Sequence, residues 1–218
     1  PEQIPLANSV LMKAVSVLTD PVTTTDELIP SGETSSYRSH PMRLAKFALA
    51  RKAPAYVGRA EAVMADEKVR RESGTLLEEV LKEVGIALDK DTMYGSCVVA
   101  RKPGGGSARE QAASCQRVLG GVANIATEYA TKRYRSNLIN WGMLPLVCRN
   151  FDYKVGDYIY IENIVGLLTE GADVVPAKHI SGGKVKNIQL ELGYLTPEEK
   201  RIILSGCLIN YNRQKAGL

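Results

Sequence analysis

Gly104 to Gln111 reads GGGSAREQ, the stretch that decides the fold of the centre of this chain. Three consecutive glycines allow a tight turn and a close approach of the backbone to a ligand. A helix predicted to follow over 108–119 would point its unpaired amides and positive dipole end at an anion. Arg109 adds a guanidinium that can bind a carboxylate or phosphate through two hydrogen bonds, and Ser107 lies beside it. The stretch therefore predicts an anion site, without yet naming a reaction.

Short apolar segments flank this glycine loop on both sides. Residues 96–100 (SCVVA) before it and 122–126 after it read as buried strands, because they are short and rich in small and β-branched residues. The helix between them ends at Gly120-Gly121, a typical C-terminal stop. A second helix over 134–141 and a third strand over 143–148 follow. This alternation of strands and helices predicts an α/β layered domain.

The N-terminal half is predicted from periodicity. Residues 9–18 read as a strand or a short helix, and 22–30 as a polar loop with Thr24, Thr25 and Asp26. Helical spacing is present over 43–51 and over 61–84. The second of these stretches carries an apolar stripe of Leu76, Leu77, Val80, Leu81 and Val84.

The C-terminal part alternates as strands do. Residues 158–161 and 185–192 are predicted strands, with a turn at Gly182-Gly183 immediately before the second. A final helix is predicted to open at Thr196-Pro197, because proline suits the first helical position.

Composition sets broad bounds on the class of protein. The 218 residues are 44% hydrophobic and 24% charged, with a net charge of +4, which is ordinary for one large globular domain. Nothing in this charge demands a nucleic-acid or membrane partner. No apolar run approaches the roughly 20 residues that span a bilayer, and no signal-peptide pattern is present. We expect a cytoplasmic protein and, because the sequence begins at Pro1 without a methionine, a piece of a longer chain.

Cysteines and histidines do not form a metal-binding pattern. The residues concerned are Cys97, Cys115, Cys148, Cys207, His40 and His179. Their spacing fits no CxxC knuckle and no mixed ligand set. We therefore expect buried or inert thiols, and neither metal nor cofactor bound by this chain itself.

Each candidate residue also has a purely structural interpretation. Ser107 and Glu110 have the spacing of a capping box, in which the serine would only satisfy helix amides. Arg109 could be a solvated residue, although a cation in the first turn of a helix opposes the dipole and calls for an anion. Arg38 by itself reads as a surface arginine.

A basic patch supplies a further alternative. Lys132, Arg133 and Arg135 are interleaved with Tyr134 and could contact nucleic acid. A solvated helix face is the favoured interpretation of this pattern.

Several motifs in the right order nevertheless resemble the C-terminal swivelling domain of the aconitase superfamily. The resemblance covers roughly residues 12–40 and 95–212. Its motifs are GSAREQAA at 106–113, LGGVA at 119–123, RSNLINWGMLPL at 135–146, Thr24-Thr25-Asp26 followed by IPSG at 29–32, and Arg38 twelve residues after Asp26.

The resemblance implies a fold and a reaction class. The fold would be α/β, a three-layer β/β/α swivelling domain spanning 1–218 with a helical insertion at about 41–84. The chain would be the substrate-closing part of a hydro-lyase (EC 4.2.1 type) that dehydrates and rehydrates a hydroxy-polycarboxylate. A [4Fe-4S] cluster would be held by other domains or a partner subunit, so that the isolated chain is inactive.

The resemblance also implies roles for individual residues. Ser107 would be the catalytic base, while Arg109 and Arg38 would each grip a substrate carboxylate. Ala108 would occupy a substrate-binding position, and Asp26 and Gly106 would support the site.

Two departures from the family pattern leave the substrate open. Ala108 replaces a serine that touches substrate in many aconitases, and Gln111 replaces a frequent histidine. The alternatives are the small subunit of an isopropylmalate-isomerase-like enzyme, and an RNA-binding or assembly domain without activity.

Overall fold

The computed structural model describes residues 4–30, 32, 34–73, 78–88 and 90–218. Its strands are β1 (Ser9–Leu18), β2 (Thr23–Thr24), β3 (Thr92–Ala100), β4 (Pro103–Gly105), β5 (Gly121–Ala126), β6 (Leu144–Val147), β7 (Tyr158–Ile161), β8 (Val174–Ser181) and β9 (Lys184–Glu191). Its α-helices are α1 (Thr25–Leu28), α2 (Pro41–Ala45), α3 (Tyr56–Ser73), α4 (Glu78–Glu83), α5 (Arg109–Val118), α6 (Lys132–Asn140), α7 (Ile164–Glu170), α8 (Pro197–Ser205) and α9 (Leu208–Lys215), with a 3₁₀ turn at Ser35–Tyr37.

Seven of the strands close into a barrel in the order β1-β3-β5-β6-β9-β8-β7. One half of the barrel, β1-β3-β5-β6, is parallel. The other half, β7-β8-β9, is antiparallel and includes the hairpin that turns at Gly182-Gly183. Two facing sheet layers with helices outside the parallel half confirm the predicted α/β swivelling architecture.

Apolar side chains divide between the inside and the outside of the barrel. On β1, Val10 and Met12 belong to the inner core, whereas Leu11 and Val15 pack outward with the helices. Successive side chains of a strand point to opposite faces, so one strand serves both cores. All nine residues of β3 are buried, because both faces of this central parallel strand are covered.

The predicted central elements are confirmed with small shifts in their bounds. The strand alternative for 9–18 is correct, and the capping box of Thr196 and Glu199 opens α8. Two helices rather than one close the chain, since Gly206 adopts a left-handed conformation (φ +93°) that ends α8. Strand β8 and helix α7 were not predicted.

The insertion differs more from the prediction. Helix α3 begins at Tyr56, five residues before the predicted start at residue 61, and packs on β1 and β3. Leu76 and Leu77 of the predicted stripe lie outside the described residues, while Leu81 is buried. The helix predicted over 43–51 stops at Ala45, where the backbone bonds become i→i−3, as from Phe47 N to Leu44 O, and left-handed Leu49 (φ +54°) then redirects the chain. In the described ranges, no helix has the length and apolarity to cross a membrane.

Candidate functional site

The glycine loop lies at the carboxyl end of β3, where the chain turns into α5. Its strand β4 pairs in parallel with β2, with Thr24 opposite Gly105. Gly104 (φ +98°) and Gly106 (φ +127°) both have positive φ. A Cβ at Gly106 would overlap the Thr25 Oγ1 atom, so the loop and the start of α1 approach as closely as glycine permits. The glycine loop and the 22–30 segment are thus brought together.

Ser107 does not cap the following helix, so the capping-box interpretation is wrong. Helix α5 begins at Arg109 with Ala108 as its N-cap, and no side chain in the described part of the chain caps it. Glu110 therefore stands at the second helical position, too early to complete a box with Ser107. Ser107 is exposed and Arg109 half-buried at a helix start whose amides are free of a side-chain cap. Such an N-terminus suits an anion.

Asp26 lies on the 22–30 segment, which contains a helix where a polar loop was predicted. Thr24 and Glu27 form a capping box around the single turn of α1: Glu27 N donates to Thr24 Oγ1, and Thr24 N donates to Glu27 Oε2 at 2.7 Å. This mutual cap explains why a turn of helix forms there. Asp26 is exposed, and its Oδ2 lies 3.6 Å from Arg51 Nη1.

Arg38 lies on a neighbouring segment rather than on the glycine loop. It follows the 3₁₀ turn, whose Tyr37 stacks on Phe47 with ring centroids 5.4 Å apart. That segment contacts α2, which packs against α5. Gly106, Ser107 and Arg109 thus follow one another from the glycine loop into α5, and Thr25, the neighbour of Asp26, touches Gly106. Exposed Arg38 lies apart from them, directly after the 3₁₀ turn and before the insertion.

A buried polar network supports the glycine loop, and the sequence did not reveal it. Gln116 Nε2 donates to the Tyr134 hydroxyl (2.9 Å), which donates to Asn124 Oδ1 (2.7 Å); Asn124 Nδ2 donates to Gln116 Oε1 (2.6 Å). All three residues are at most 3% exposed. A Cβ at Gly104 would overlap the Tyr134 ring, so the loop rests directly on this network. The available signal was an asparagine inside the otherwise apolar strand VANIA.

The predicted basic patch is not one continuous surface, because Tyr134 is buried in the protein interior. Burial raises the pKa of its hydroxyl, and its ring cannot stack on a nucleobase. Arg135 donates to the carbonyl oxygens of Leu192 (3.1 Å) and Tyr194 (2.9 Å). Only Lys132 and Arg133 of the four are exposed. The interleaved basic and aromatic surface that would favour nucleic acid is therefore not formed.

A second polar cluster ties β7 to β8. His179 Nε2 lies 2.7 Å from Asp157 Oδ2, and Ser181 Oγ donates to Asp157 Oδ1 at 2.7 Å. Both the histidine and the aspartate are buried. Because the carboxylate stands between the other two groups, the order is not that of a nucleophilic triad. We interpret this cluster as structural.

The thiols do not fit an iron–sulfur cluster. Cys97 and Cys115 are both buried, one on strand β3 and one on helix α5, and burial raises the pKa of each thiol to about 12. Cys207 is also buried, and Cys148 is half-buried. Across the part of the chain that the structure describes, no three histidine, cysteine or acidic side chains are grouped to hold a metal ion.

Comparison with known proteins finds likeness in sequence and in fold. Residues 68–150, which include Ser107 and Arg109, match the model of the aconitase C-terminal domain. The methanogen homoaconitase small subunit of Methanocaldococcus jannaschii is 31% identical over 129 residues, 58% of this chain and 66% of that relative's length. A crystal structure of 3-isopropylmalate dehydratase from the same organism superposes with a TM-score of 0.58 at 20% identity, covering 95% of each chain. That structural likeness confirms the fold.

Proposed function

Because the chain resembles the aconitase C-terminal domain in sequence, as its motifs predicted, we propose that it is the substrate-closing part of an aconitase-family hydro-lyase. It would act with a partner, in the same or a separate chain, to move water on and off a hydroxy-polycarboxylate. One observation carries the proposal: Ser107 and Arg109 stand at an uncapped helix start, beside a glycine loop packed on Thr25.

Arg109 supplies the affinity for substrate. Its guanidinium and the first amides of α5 present donors to one carboxylate, and Arg38 would take a second one. Two fixed cations favour a substrate with at least two carboxylates over a monoacid. They also stabilise the negative charge that develops when the carbon next to a carboxylate loses its proton.

Ser107 supplies the base. Its alkoxide form would take the proton from that carbon and become a hydroxyl, while the neighbouring carbon releases hydroxide. The proton and the hydroxide together make up the one water that is lost, and the product is an unsaturated acid. A serine is a poor base in water, so it needs the positive field of Arg109 and of the helix end, with solvent excluded by the partner. Asp26 and Gly106 would support this arrangement from the side of α1.

The [4Fe-4S] cluster implied by the resemblance belongs to the partner in this proposal. The thiols of this chain do not fit it, because none of them is grouped with two further metal-binding side chains in the described ranges. No step of the chemistry assigned to this chain depends on cluster ligands of its own.

The side chains near Ser107 bear on the range of substrates that the site could accept. Ala108 offers no hydrogen bond where many aconitases have a serine, and Gln111 is a neutral donor and acceptor. The relatives are a homoaconitase small subunit and a 3-isopropylmalate dehydratase. From them we extend to this chain only the substrate class, hydroxy-polycarboxylates.

Turnover on a substrate panel tests the proposal. The complete protein with its partner is loaded anaerobically with iron and sulfide, and formation of unsaturated acid is followed by ultraviolet absorbance across 2- and 3-hydroxy di- and tricarboxylates. We expect turnover of at least one diacid or triacid that disappears in Ser107→Ala. Turnover that survives in both Ser107→Ala and Arg109→Ala would refute the assigned roles.

A nucleic-acid role is checked on the same preparation. RNA affinity that falls steeply with salt would favour that alternative, because phosphate contacts release counterions. We expect no such binding, since Tyr134 is buried and Arg135 is bonded to backbone carbonyls.

A further inference from the structure

Leu49 adopts a backbone conformation that a branched side chain rarely takes. Its φ of +54° is left-handed, while its side chain is only 1% exposed. Such a conformation is unfavourable for a residue with a Cβ and persists only where surrounding structure enforces it. Its amide donates to the carbonyl oxygen of Leu28, the last residue of α1, at 2.9 Å. The strained residue thus joins the insertion to the C-terminal end of α1.

The two residues after Ala50 reach the acidic groups around α1. Lys52 Nζ lies 2.7 Å from Asp20 Oδ2 and 3.6 Å from Glu27 Oε1, and Arg51 pairs with Asp26. The hydrogen bond between Asp20 and Lys52 raises the pKa of the lysine and lowers that of the aspartate. One ammonium therefore links the segment before α1 to the glutamate of its capping box.

Helix α1 needs such external support. It is a single turn of four residues, and an isolated turn of that length is not stable in water. Yet it carries Asp26, and its Thr25 fills the space beside Gly106. Any movement of α1 would therefore move the Asp26 side of the candidate site relative to Ser107.

We propose that residues 49–52, which we call the insertion tether, are a positioning element of the site, with Lys52 as its principal positioning residue. This inference rests on the proposed function. The helical insertion, absent from the motifs that carry the family resemblance, would hold α1 at a fixed distance from the glycine loop.

The tether acts on geometry more than on global stability. Exposed ion pairs contribute little to unfolding free energy, and the Lys52 side chain is still 27% exposed. Small displacements of a catalytic group, in contrast, cost rate steeply. Loss of the tether should therefore appear in kcat and leave thermal unfolding almost unchanged.

Kinetics of the complete enzyme provide the first test. Lys52→Met should lower kcat about ten-fold with KM within about two-fold, because α1 does not grip the substrate carboxylates. Lys52→Arg should restore kcat, since it keeps a cation within reach. The matched control is Lys46→Met, which removes the ion pair to Glu61 elsewhere in the insertion and should leave kcat unchanged. An unchanged kcat in Lys52→Met, or an equal loss in Lys46→Met, would overturn the proposal.

Hydrogen exchange of the complete protein separates this proposal from the proposed function. Amides of residues 25–29 should exchange at least several-fold faster in Lys52→Met than in the wild type or in Lys46→Met. Faster exchange without any hydro-lyase turnover in the wild type would support the tether and refute the proposed function. Unchanged exchange would overturn the tether, whatever the kinetics show.

Discussion

The glycine loop and the 22–30 segment form two sides of the candidate site, and different interactions hold them in place. The glycine loop rests on Tyr134, whose hydroxyl is bonded to two amide side chains in the interior. On the 22–30 segment, Leu28 and Ile29 are buried, while the acidic groups of α1 pair with side chains that remain partly exposed. Buried and fully bonded networks fix one geometry, whereas exposed pairs are weak and sensitive to salt. The side that carries the proposed base therefore rests on a buried network, whereas the facing side depends in part on weaker, salt-sensitive ion pairs.

The largest effect is expected at the rigid side. Ser107→Ala in the complete enzyme should lower kcat by about 10³-fold, because it removes the proposed base. The matched control is Ser114→Ala on α5, the helix that follows Ser107; the Ser114 hydroxyl donates to the Gln111 carbonyl oxygen, and this variant should retain nearly full activity. Steady-state rates on the best substrate decide the outcome, and a loss below ten-fold for Ser107→Ala would remove this residue from the chemistry.

The two arginines compare the glycine-loop side with the neighbouring segment that carries Arg38. Arg109→Lys and Arg38→Lys keep the charge but lose bidentate geometry, so each should lower kcat/KM by about 10- to 100-fold. We expect the larger loss at Arg109, which is half-buried at the helix start, and the smaller one at exposed Arg38. Measuring kcat and KM separately for both variants checks this order; equal activity of Arg38→Lys and wild type would exclude Arg38 from substrate binding.

A substitution at Gly106, where the two sides touch, should destabilise the protein. Gly106→Ala places a methyl group on Thr25 Oγ1 at a φ of +127°, and we expect it to destabilise the protein by about 2–3 kcal/mol. Gly58→Ala is the control: it lies inside α3 with nothing within 4 Å of a built Cβ, and should stabilise by roughly 0.5–1 kcal/mol. Urea unfolding of both variants gives these values. Wild-type stability in Gly106→Ala would show that the two sides are not in close contact.

The smallest effect is expected beneath the glycine loop. Tyr134→Phe removes one hydroxyl from the buried network and leaves Gln116 and Asn124 each with a lost partner, which should cost about 1–3 kcal/mol of stability. Tyr194 is 77% exposed, so Tyr194→Phe should cause no measurable loss of stability. Thermal unfolding compares the two. If the two variants behave alike, the network does not support the loop.

The sequence indicated some parts of this site and concealed others for physical reasons. Ser107 and Arg109 were recognisable because glycine spacing and a helix start are local features. The wrong capping box shows the limit of such patterns: a shift of one residue in the start of α5 frees Ser107 from a capping role. Only the folded backbone fixes that start.

Tyr134 shows the same limit for a residue that the sequence pattern placed at the surface. Between basic residues it read as part of a surface patch, yet it is fully buried. Helical periodicity places it on a face different from that of Lys132 and Arg133, but which face turns inward depends on what packs there. Gln116 and Asn124 come from different elements, so their meeting with Tyr134 could not be read from spacing.

By itself, the sequence determined the alternation of central strands and helices, the glycine loop and the family resemblance, because these depend on short-range periodicity and on motifs in order. Tertiary structure alone decided the closure of the barrel through β8 and β9, the network under the loop and the contacts of Leu49 and Lys52 with the region of α1. These features join residues far apart in the chain, such as Lys52 with Asp20 and Gly106 with Thr25. Their energies come from burial and close approach, which exist only once the chain has folded.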